Sequence, residues 1–206
     1  MFDIAVRRRI DPALDRIARR LAGWGVSADG VTVAAFCIGA AAAAAITFEH
    51  HWLGLVLVLL SRLGDGLDGA VARASAARDG SYGTDFGGYL DIVLDFGFYA
   101  LVPLAFVVAD PQANAVAGAV LIAAFYFNGA SFLAFATAAE RRGDRDVRGH
   151  KAFRYTVGIM EGTETIVLFC AMCVFPSWFP AIAYVFAALT LATTLARIAL
   201  ARRTFR

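Results

Sequence analysis

Six long apolar stretches, separated by short polar segments, limit what this chain of 206 residues can fold into. Each stretch has close to the ~20 residues that a helix needs to cross the hydrocarbon core of a bilayer. The apolar residues follow one another without the alternation of a half-buried strand, which favours helices. The predicted spans are 31–48, 52–73, 86–108, 115–139, 155–175 and 181–201.

The composition agrees with a membrane protein that has one domain. Hydrophobic residues make up 60% of the chain and charged residues 17%, whereas soluble domains are closer to half apolar and about a quarter charged. The bundle leaves no room for a sizeable soluble module. The sequence therefore predicts an all-α integral membrane protein, a single domain over 1–206 with a six-span bundle over 31–201. Membrane lipids are expected partners, and nucleic acid is not.

The segment before the first span predicts a cytoplasmic arm over 1–30 with a short helix on the membrane surface. Residues 12–22 place four apolar side chains on one helical stripe, with most arginines off it: Leu14, Ile17, Ala18 and Leu21. A helix of this kind lies in the interface with its apolar face in the lipid. A solvated basic arm is the alternative.

Basic residues mark one side of the predicted bundle. They occupy the N-terminal arm, the segment after span two, the loop around 140–154 and the C-terminal tail, whereas the three intervening loops have no lysine or arginine. The positive-inside rule then predicts that both termini are cytoplasmic. The expected location is a bacterial inner (cytoplasmic) membrane, with any site near these loops open to the cytoplasm.

Four aspartates interrupt the second and third predicted spans. Asp65 and Asp68 are three residues apart, and Asp91 and Asp95 are four apart, so each pair projects from one helical face. Counted from the cytoplasmic ends of adjacent antiparallel spans, the two pairs lie at similar depths. An aspartate inside a bilayer costs about 2.5–3.5 kcal/mol on insertion scales, so four together require compensating cations.

Divalent metal is the predicted partner of these acids. Mg²⁺ and Mn²⁺ prefer carboxylates, water and substrate phosphates as ligands. The basic residues at comparable depth, Arg62 and Arg73 among them, are too few to neutralise the four acids. Carboxylate pairs held together by protonation are the alternative. The predicted metal ligands are Asp65, Asp68, Asp91 and Asp95.

Small residues share the helical faces of the acids. Gly69 and Ala72 lie on the face of the first pair, and Gly87 precedes Asp91 by four residues. They would make room for a flat group such as a nucleotide base, or serve close helix packing alone. Arg73 is placed to meet a phosphate at the mouth of such a site.

The combined pattern, D-x-x-D-G-x-x-A-R followed by G-x-x-x-D-x-x-x-D, resembles the signature of the CDP-alcohol phosphotransferase family, class I. All eight positions are filled: Asp65, Asp68, Gly69, Ala72, Arg73, Gly87, Asp91 and Asp95. The spacer between the two halves has thirteen residues, Ala74 to Phe86, and is longer than is usual in the family. Its segment 79–83 is predicted to be a cytoplasmic loop.

This resemblance implies a phosphatidyl transfer from a CDP-linked lipid, such as CDP-diacylglycerol, to the hydroxyl of a small polar alcohol, with release of CMP. It implies two divalent ions, Mg²⁺ or Mn²⁺, on the four aspartates, and Asp95 as the general base. The nucleotide would contact Asp68, Gly69, Ala72, Arg73 and Gly87. Because family members are often dimers, a homodimer is an expected assembly.

Basic residues toward the C-terminus are candidates for binding the alcohol, because family members with phosphorylated acceptors use basic residues in this neighbourhood. The predicted acceptor residues are Arg197, Arg154, Lys151 and Glu161. The positive-inside distribution alone also explains the basic loop. An Arg197–Glu161 pair and an Arg62–Glu164 pair are alternatives with a structural role.

Two other classes of protein fit parts of the sequence. An ion-coupled transporter also uses carboxylates inside the membrane, although usually near the midplane and within repeated halves, and no repeat is evident here. A family member that has lost activity and acts as a membrane scaffold would keep the same fold. Metal-dependent binding of a CDP-lipid separates the enzyme from the transporter, and turnover separates it from the scaffold.

Overall fold

The computed structural model describes residues 2–80, 84–142 and 162–205. These residues form seven α-helices and no strand. A short 3₁₀ turn at Pro176–Trp178 leads into the last helix. The helices are α1 (Phe2–Gly23), α2 (Ala28–Thr47), α3 (His51–Asp79), α4 (Asp85–Ala109), α5 (Pro111–Arg141), α6 (Gly162–Val174) and α7 (Phe179–Thr204).

Four segments in the described part of the chain are long and apolar enough to cross a membrane: α2, α4, α5 and Pro176–Thr204. Helix α3 has 29 residues, but three charged residues, Arg62, Asp65 and Asp68, interrupt its apolar sequence. Helix α6 is described over 13 residues. The prediction of an all-helical integral membrane protein is confirmed.

The spacer between the two halves of the aspartate pattern is largely helical. Helix α3 continues six residues beyond Arg73, to Asp79, and ends at Gly80, whose φ of 75° lies in the left-handed region that favours glycine. Helix α4 then begins at Asp85 behind Thr84, whose hydroxyl accepts a hydrogen bond of 2.9 Å from the Gly87 amide. The predicted loop at 79–83 therefore starts one residue later than expected, and residues 81–83 lie outside the described residues.

The core lies between the helices and is rich in aromatic side chains. Phe98 on α4 contacts Phe169 on α6 with ring centroids 5.7 Å apart, and Phe125 on α5 contacts Phe186 on α7 at 5.0 Å. Helices α4 and α5 approach so closely that a Cβ at Gly129 would lie 2.1 Å from the Phe96 ring. This packing fixes the rotation of α4 and with it the direction of its aspartates.

Helix α1 packs against α3 beside the aspartate pattern. Leu14, Ala18 and Leu21 belong to a cluster with Ala70 and Val71 of α3. These three residues come from the predicted apolar stripe of α1, so in the structure this stripe faces α3. Its fourth member is exposed. The position of α1 on a membrane surface stays a prediction.

Candidate active site

Three aspartates from α3 and α4 converge beside α2, against which both of these helices pack. Asp65, Asp68 and Asp91 each offer a carboxylate oxygen, and these oxygens lie within 4.8 Å of one another. Like charges at such separations repel unless a cation compensates them. An all-oxygen set of carboxylates, with space for water and phosphate, suits Mg²⁺ or Mn²⁺. The residues present therefore fit the predicted metal.

Asp68 is held in place by hydrogen bonds from two directions. The Thr32 hydroxyl of α2 donates to its Oδ2 at 2.6 Å, and the Gly69 amide donates to its Oδ1 at 2.5 Å. Both the threonine and the aspartate are buried. Thr32 was not predicted as a site residue, because a single polar residue early in span one does not indicate that it faces Asp68.

Asp95 lies beside this group, close to Asp65, and pairs with an arginine. Arg62 Nη1 donates to Asp95 Oδ1 at 2.7 Å and lies 3.4 Å from Asp65 Oδ1. A pair of Arg62 with Glu164 is not seen among the described residues, where Glu164 Oε2 is buried without a hydrogen-bond partner. The role of Asp95 as a metal ligand stays a prediction.

A cavity of about 160 Å³ opens on one side of the three aspartates, between α2, α3 and α4. It is lined by Asp68 and Asp91 and by the small residues that the sequence placed on the same faces, Gly69, Ala72 and Gly87. A Cβ at Gly87 would lie 2.7 Å from Asp29 Oδ1, so a side chain there would disturb the wall of the cavity.

Arg73 lies at the edge of this region rather than in the cavity wall. Its side chain is 69% exposed and pairs with Asp15 of α1 at 3.7 Å, and an exposed pair of this kind contributes little to stability. Its Nη1 is 3.5 Å from the position that a Cβ on Gly69 would take. The guanidinium is therefore free to turn toward the cavity at little cost.

A second cavity, of about 350 Å³, opens on the other side of the acids between α4, α5, α6 and α7. Asp91, Asp95 and Arg197 all line it. Arg197 Nη1 donates to the backbone carbonyl and the Oδ1 of Asn128, both at 2.9 Å, and to Ser131 Oγ at 2.7 Å. The structure thus brings the predicted base and one predicted acceptor residue to the same cavity.

The other three predicted acceptor residues, Lys151, Arg154 and Glu161, lie outside the described residues. The same is true of the predicted Arg197–Glu161 pair. Among the described residues, Asn128 and Ser131 of α5 contact Arg197 instead. Asn128 and Ser131 were not predicted as site residues. A single polar residue in an apolar span does not indicate which helix it faces.

These features define a class of protein: an all-helical membrane enzyme in which carboxylates suited to a divalent metal lie between two cavities. The profile of the CDP-alcohol phosphatidyltransferase family matches residues 26–196. The chain therefore belongs to this family, and the predicted enzyme class, a phosphotransferase for substituted phosphate groups, is confirmed.

Relatives with known sequences agree with this assignment. The inner membrane protein YnjF of Escherichia coli (strain K12) is 46% identical over 199 residues, which cover 96% of this chain and 94% of that protein. The archaetidylinositol phosphate synthase of Methanothermobacter thermautotrophicus is 38% identical over 94 residues, 46% of this chain and 42% of that enzyme.

A solved structure shares the fold. The phosphatidylinositol phosphate synthase of Mycobacterium tuberculosis, crystallised with CDP-DAG bound, has a TM-score of 0.64 and 21% identity, covering 90% of this chain and 91% of that chain. The same enzyme in complex with manganese and citrate also has a TM-score of 0.64, with 22% identity, and covers 91% of this chain and 88% of that chain. At this identity the likeness concerns the fold.

Proposed function

We propose that this protein transfers a phosphatidyl group from a CDP-linked lipid, such as CDP-diacylglycerol, to the hydroxyl of a small polar alcohol, with release of CMP, in phospholipid biosynthesis. The observation that carries this proposal is the convergence of Asp65, Asp68 and Asp91 between two cavities. One cavity suits the donor nucleotide and the other suits the acceptor. The donor bound in the M. tuberculosis enzyme is CDP-DAG, which supports the choice of donor.

Divalent metal, Mg²⁺ or Mn²⁺, is the proposed cofactor, held by Asp65, Asp68 and Asp91. When bound, it would neutralise the donor pyrophosphate and the charge that develops on the leaving CMP. The family resemblance further proposes two ions, with Asp95 as an additional ligand. The manganese complex of the M. tuberculosis enzyme supports the metal.

On the donor side, the small residues of the first cavity would receive the nucleotide. Gly69, Ala72 and Gly87 present no side chain beyond a methyl group, so a flat base can approach the helix backbones. The Thr32 hydrogen bond keeps Asp68 in place beneath it. We propose that Arg73 turns from Asp15 to contact a donor phosphate, because a guanidinium matches two phosphate oxygens.

On the acceptor side, Asp95 is the proposed general base. Asp95 lines the cavity that would hold the alcohol, and its carboxylate would take the proton from the hydroxyl. The hydroxyl oxygen then attacks the phosphorus that carries the lipid. The new phosphorus–oxygen bond forms as the bond to CMP breaks, and CMP leaves with its electron pair.

Arg197 is the proposed contact for a charged acceptor, such as a phosphorylated polyol, together with Arg154, Lys151 and Glu161. We expect Arg197→Gln to raise the acceptor KM more than about tenfold, since a charge-assisted hydrogen bond contributes about 1.5–3 kcal/mol. The KM for the CDP-lipid should stay near that of the wild type. Steady-state CMP release with each substrate varied in turn measures both constants. Equal changes in the two KM values would contradict an acceptor role.

The proposal extends to the number of spans and their orientation in the membrane. We propose six spans, with α3 and the segment that ends in α6 added to the four apolar helices, an interfacial α1, and both termini cytoplasmic in a bacterial inner membrane. The relative named as an inner membrane protein supports the location. A C-terminal fusion should be fluorescent with green fluorescent protein and inactive with alkaline phosphatase; the reverse would overturn the orientation. A homodimer is proposed from the family resemblance alone.

The decisive experiment measures CMP release by the detergent-purified protein. We expect CMP from CDP-diacylglycerol with Mg²⁺ or Mn²⁺ and one member of a panel of polyols, amino alcohols and their phosphates. Removal of the metal with EDTA should abolish the release, and added Mn²⁺ should restore it. CMP release that persists in EDTA would overturn the metal-dependent mechanism.

Two other outcomes, from binding and flux measurements beside the CMP-release assay, would favour the other classes. Metal-dependent binding of the CDP-lipid without turnover on any acceptor would favour an inactive scaffold. No binding of the CDP-lipid at all, together with metal-dependent ion flux in vesicles, would favour a transporter. Family membership favours the enzyme over both.

A further inference from the structure

A buried arginine, Arg62, contacts both Asp65 of the three-aspartate group and Asp95. Arg62 lies one helical turn before Asp65 on α3, and its side chain is only 7% exposed. Nη1 contacts Asp95 Oδ1 at 2.7 Å and Asp65 Oδ1 at 3.4 Å. Through one nitrogen, Arg62 therefore touches both a member of the three-aspartate group and the proposed base.

The second terminal nitrogen and the face of the guanidinium also have neighbours, whereas Nε is buried without a hydrogen-bond partner. Nη2 donates to Ser61 Oγ at 3.3 Å, and Ser61 in turn donates to the Ala35 carbonyl of α2 at 2.8 Å. The guanidinium carbon lies 3.9 Å from the centre of the Phe98 ring, a distance typical of a cation–π contact. An arginine held on three sides presents its charge at a defined place.

Charged residues within a span are costly, and they are usually retained for function. A structural counter-ion would need to contact only one acid. Arg62 instead contacts two acids, through a charge-assisted hydrogen bond to Oδ1 of Asp95 and a longer contact to Oδ1 of Asp65. Its positive charge also stands where a cation shared by Asp65 and Asp95 would have to bind.

We propose that Arg62 is a positioning residue for the transfer reaction: its guanidinium holds the Asp95 carboxylate at the acceptor cavity and balances the negative charge of Asp95 and the neighbouring Asp65. The inference rests on the proposed role of Asp95 as the base. It assigns Asp65, Asp68 and Asp91 to the first metal ion and Asp95 to the acceptor. A second divalent ion must then compete with Arg62 for Asp95.

The test compares Arg62→Gln with Arg62→Lys in two measurements. In turnover, Arg62→Gln should lower kcat about 10- to 100-fold, as loss of a partner that orients a metal-site residue does, while the KM for CDP-diacylglycerol changes little. Arg62→Lys keeps the charge and should recover part of the loss. Arg16→Gln, which removes an exposed arginine of α1, is the matched control and should behave like the wild type.

The second measurement follows Mn²⁺ binding without substrates, by electron paramagnetic resonance. Arg62→Gln should bind Mn²⁺ more tightly than the wild type or take up an additional equivalent, because Asp95 is released and one positive charge is lost. A purely structural arginine would lower the melting temperature without either change. Unaltered kcat, or unaltered Mn²⁺ binding, in folded Arg62→Gln protein overturns the proposal.

Two provisions keep the result interpretable. If Arg62→Gln does not fold, Ser61→Ala is the substitute, because it removes only the hydroxyl that supports Nη2. Smaller changes in kcat and in Mn²⁺ binding, in the same directions, are then expected. If neither quantity changes, the proposal is overturned. If the wild type releases no CMP with any acceptor, the proposed function fails. The Mn²⁺ titration then still decides whether Arg62 competes with metal for Asp95.

Discussion

Asp95→Asn is expected to lower CMP release about 10²–10⁴-fold, the contribution usual for a general base. The amide has the shape of the carboxylate but cannot take a proton from the acceptor hydroxyl. Its oxygen still accepts the hydrogen bond from Arg62, so the arginine is not left without a partner. The loss should therefore appear in kcat rather than in folding, and single-turnover CMP release with saturating acceptor measures it directly.

The same variant should retain the donor. Asp95 does not line the cavity of Gly69, Ala72 and Gly87, so binding of CDP-diacylglycerol in the presence of Mn²⁺ should stay close to that of the wild type. Asp85→Asn is the matched control, because Asp85 is an exposed carboxylate in the first turn of the same helix. Loss of donor binding in Asp95→Asn would indicate that Asp95 is a metal ligand and would contradict its role as the general base.

Local sequence was sufficient to predict the all-helical character of the chain, helices such as α4, and the spacing of the acids within α3 and α4. The predicted span 86–108 corresponds to α4, Asp85–Ala109, because continuous hydrophobicity and a threonine cap determine such an element over a short range. The spacing of three in α3 and four in α4 directs each aspartate pair to one face. These features depend on residues within a few turns of each other.

Contacts between helices were beyond the reach of the same reasoning. Thr32 and Asp68 are 36 residues apart, and Arg62 and Asp95 are 33 apart. Whether such residues meet depends on how each helix is rotated, and bulky contacts such as Phe96 against Gly129 determine that rotation. The sequence alone therefore suggested Glu164 as a partner of Arg62, and it gave no reason to place Thr32 against Asp68.

The continuation of α3 beyond the predicted span, to Asp79, has a local cause. Hydrophobicity shows where a helix is expected to leave the membrane, and Arg73 marks that position in the sequence. The helix itself persists because residues 74–78 are alanines, a serine and an arginine, which form helix well as a group, and it stops only at a glycine. The long spacer thus adds more than a turn to helix α3 before any loop begins.

Asp68→Asn is expected to remove metal binding and, with it, activity. Asp68 belongs to the three-aspartate group, and an amide offers a neutral oxygen where the metal requires a charged one. The apparent affinity for Mn²⁺ should fall by more than the ~10- to 100-fold that follows loss of an outer partner of a metal ligand. CMP release should reach the level of the EDTA-treated wild type, measured over a range of Mn²⁺ concentrations.

Thr32→Val separates this effect from a general disturbance of the site. Valine has nearly the shape of threonine and removes only the hydroxyl that holds Asp68 Oδ2 at 2.6 Å, so Mn²⁺ affinity should fall about 10- to 100-fold and excess Mn²⁺ should restore turnover. Asp68→Asn should not recover at any Mn²⁺ concentration. Recovery of Asp68→Asn by excess metal would mean that Asp65 and Asp91 suffice to hold the ion. Asp68 would then serve mainly to shape the wall of the cavity that Gly69, Ala72 and Gly87 line.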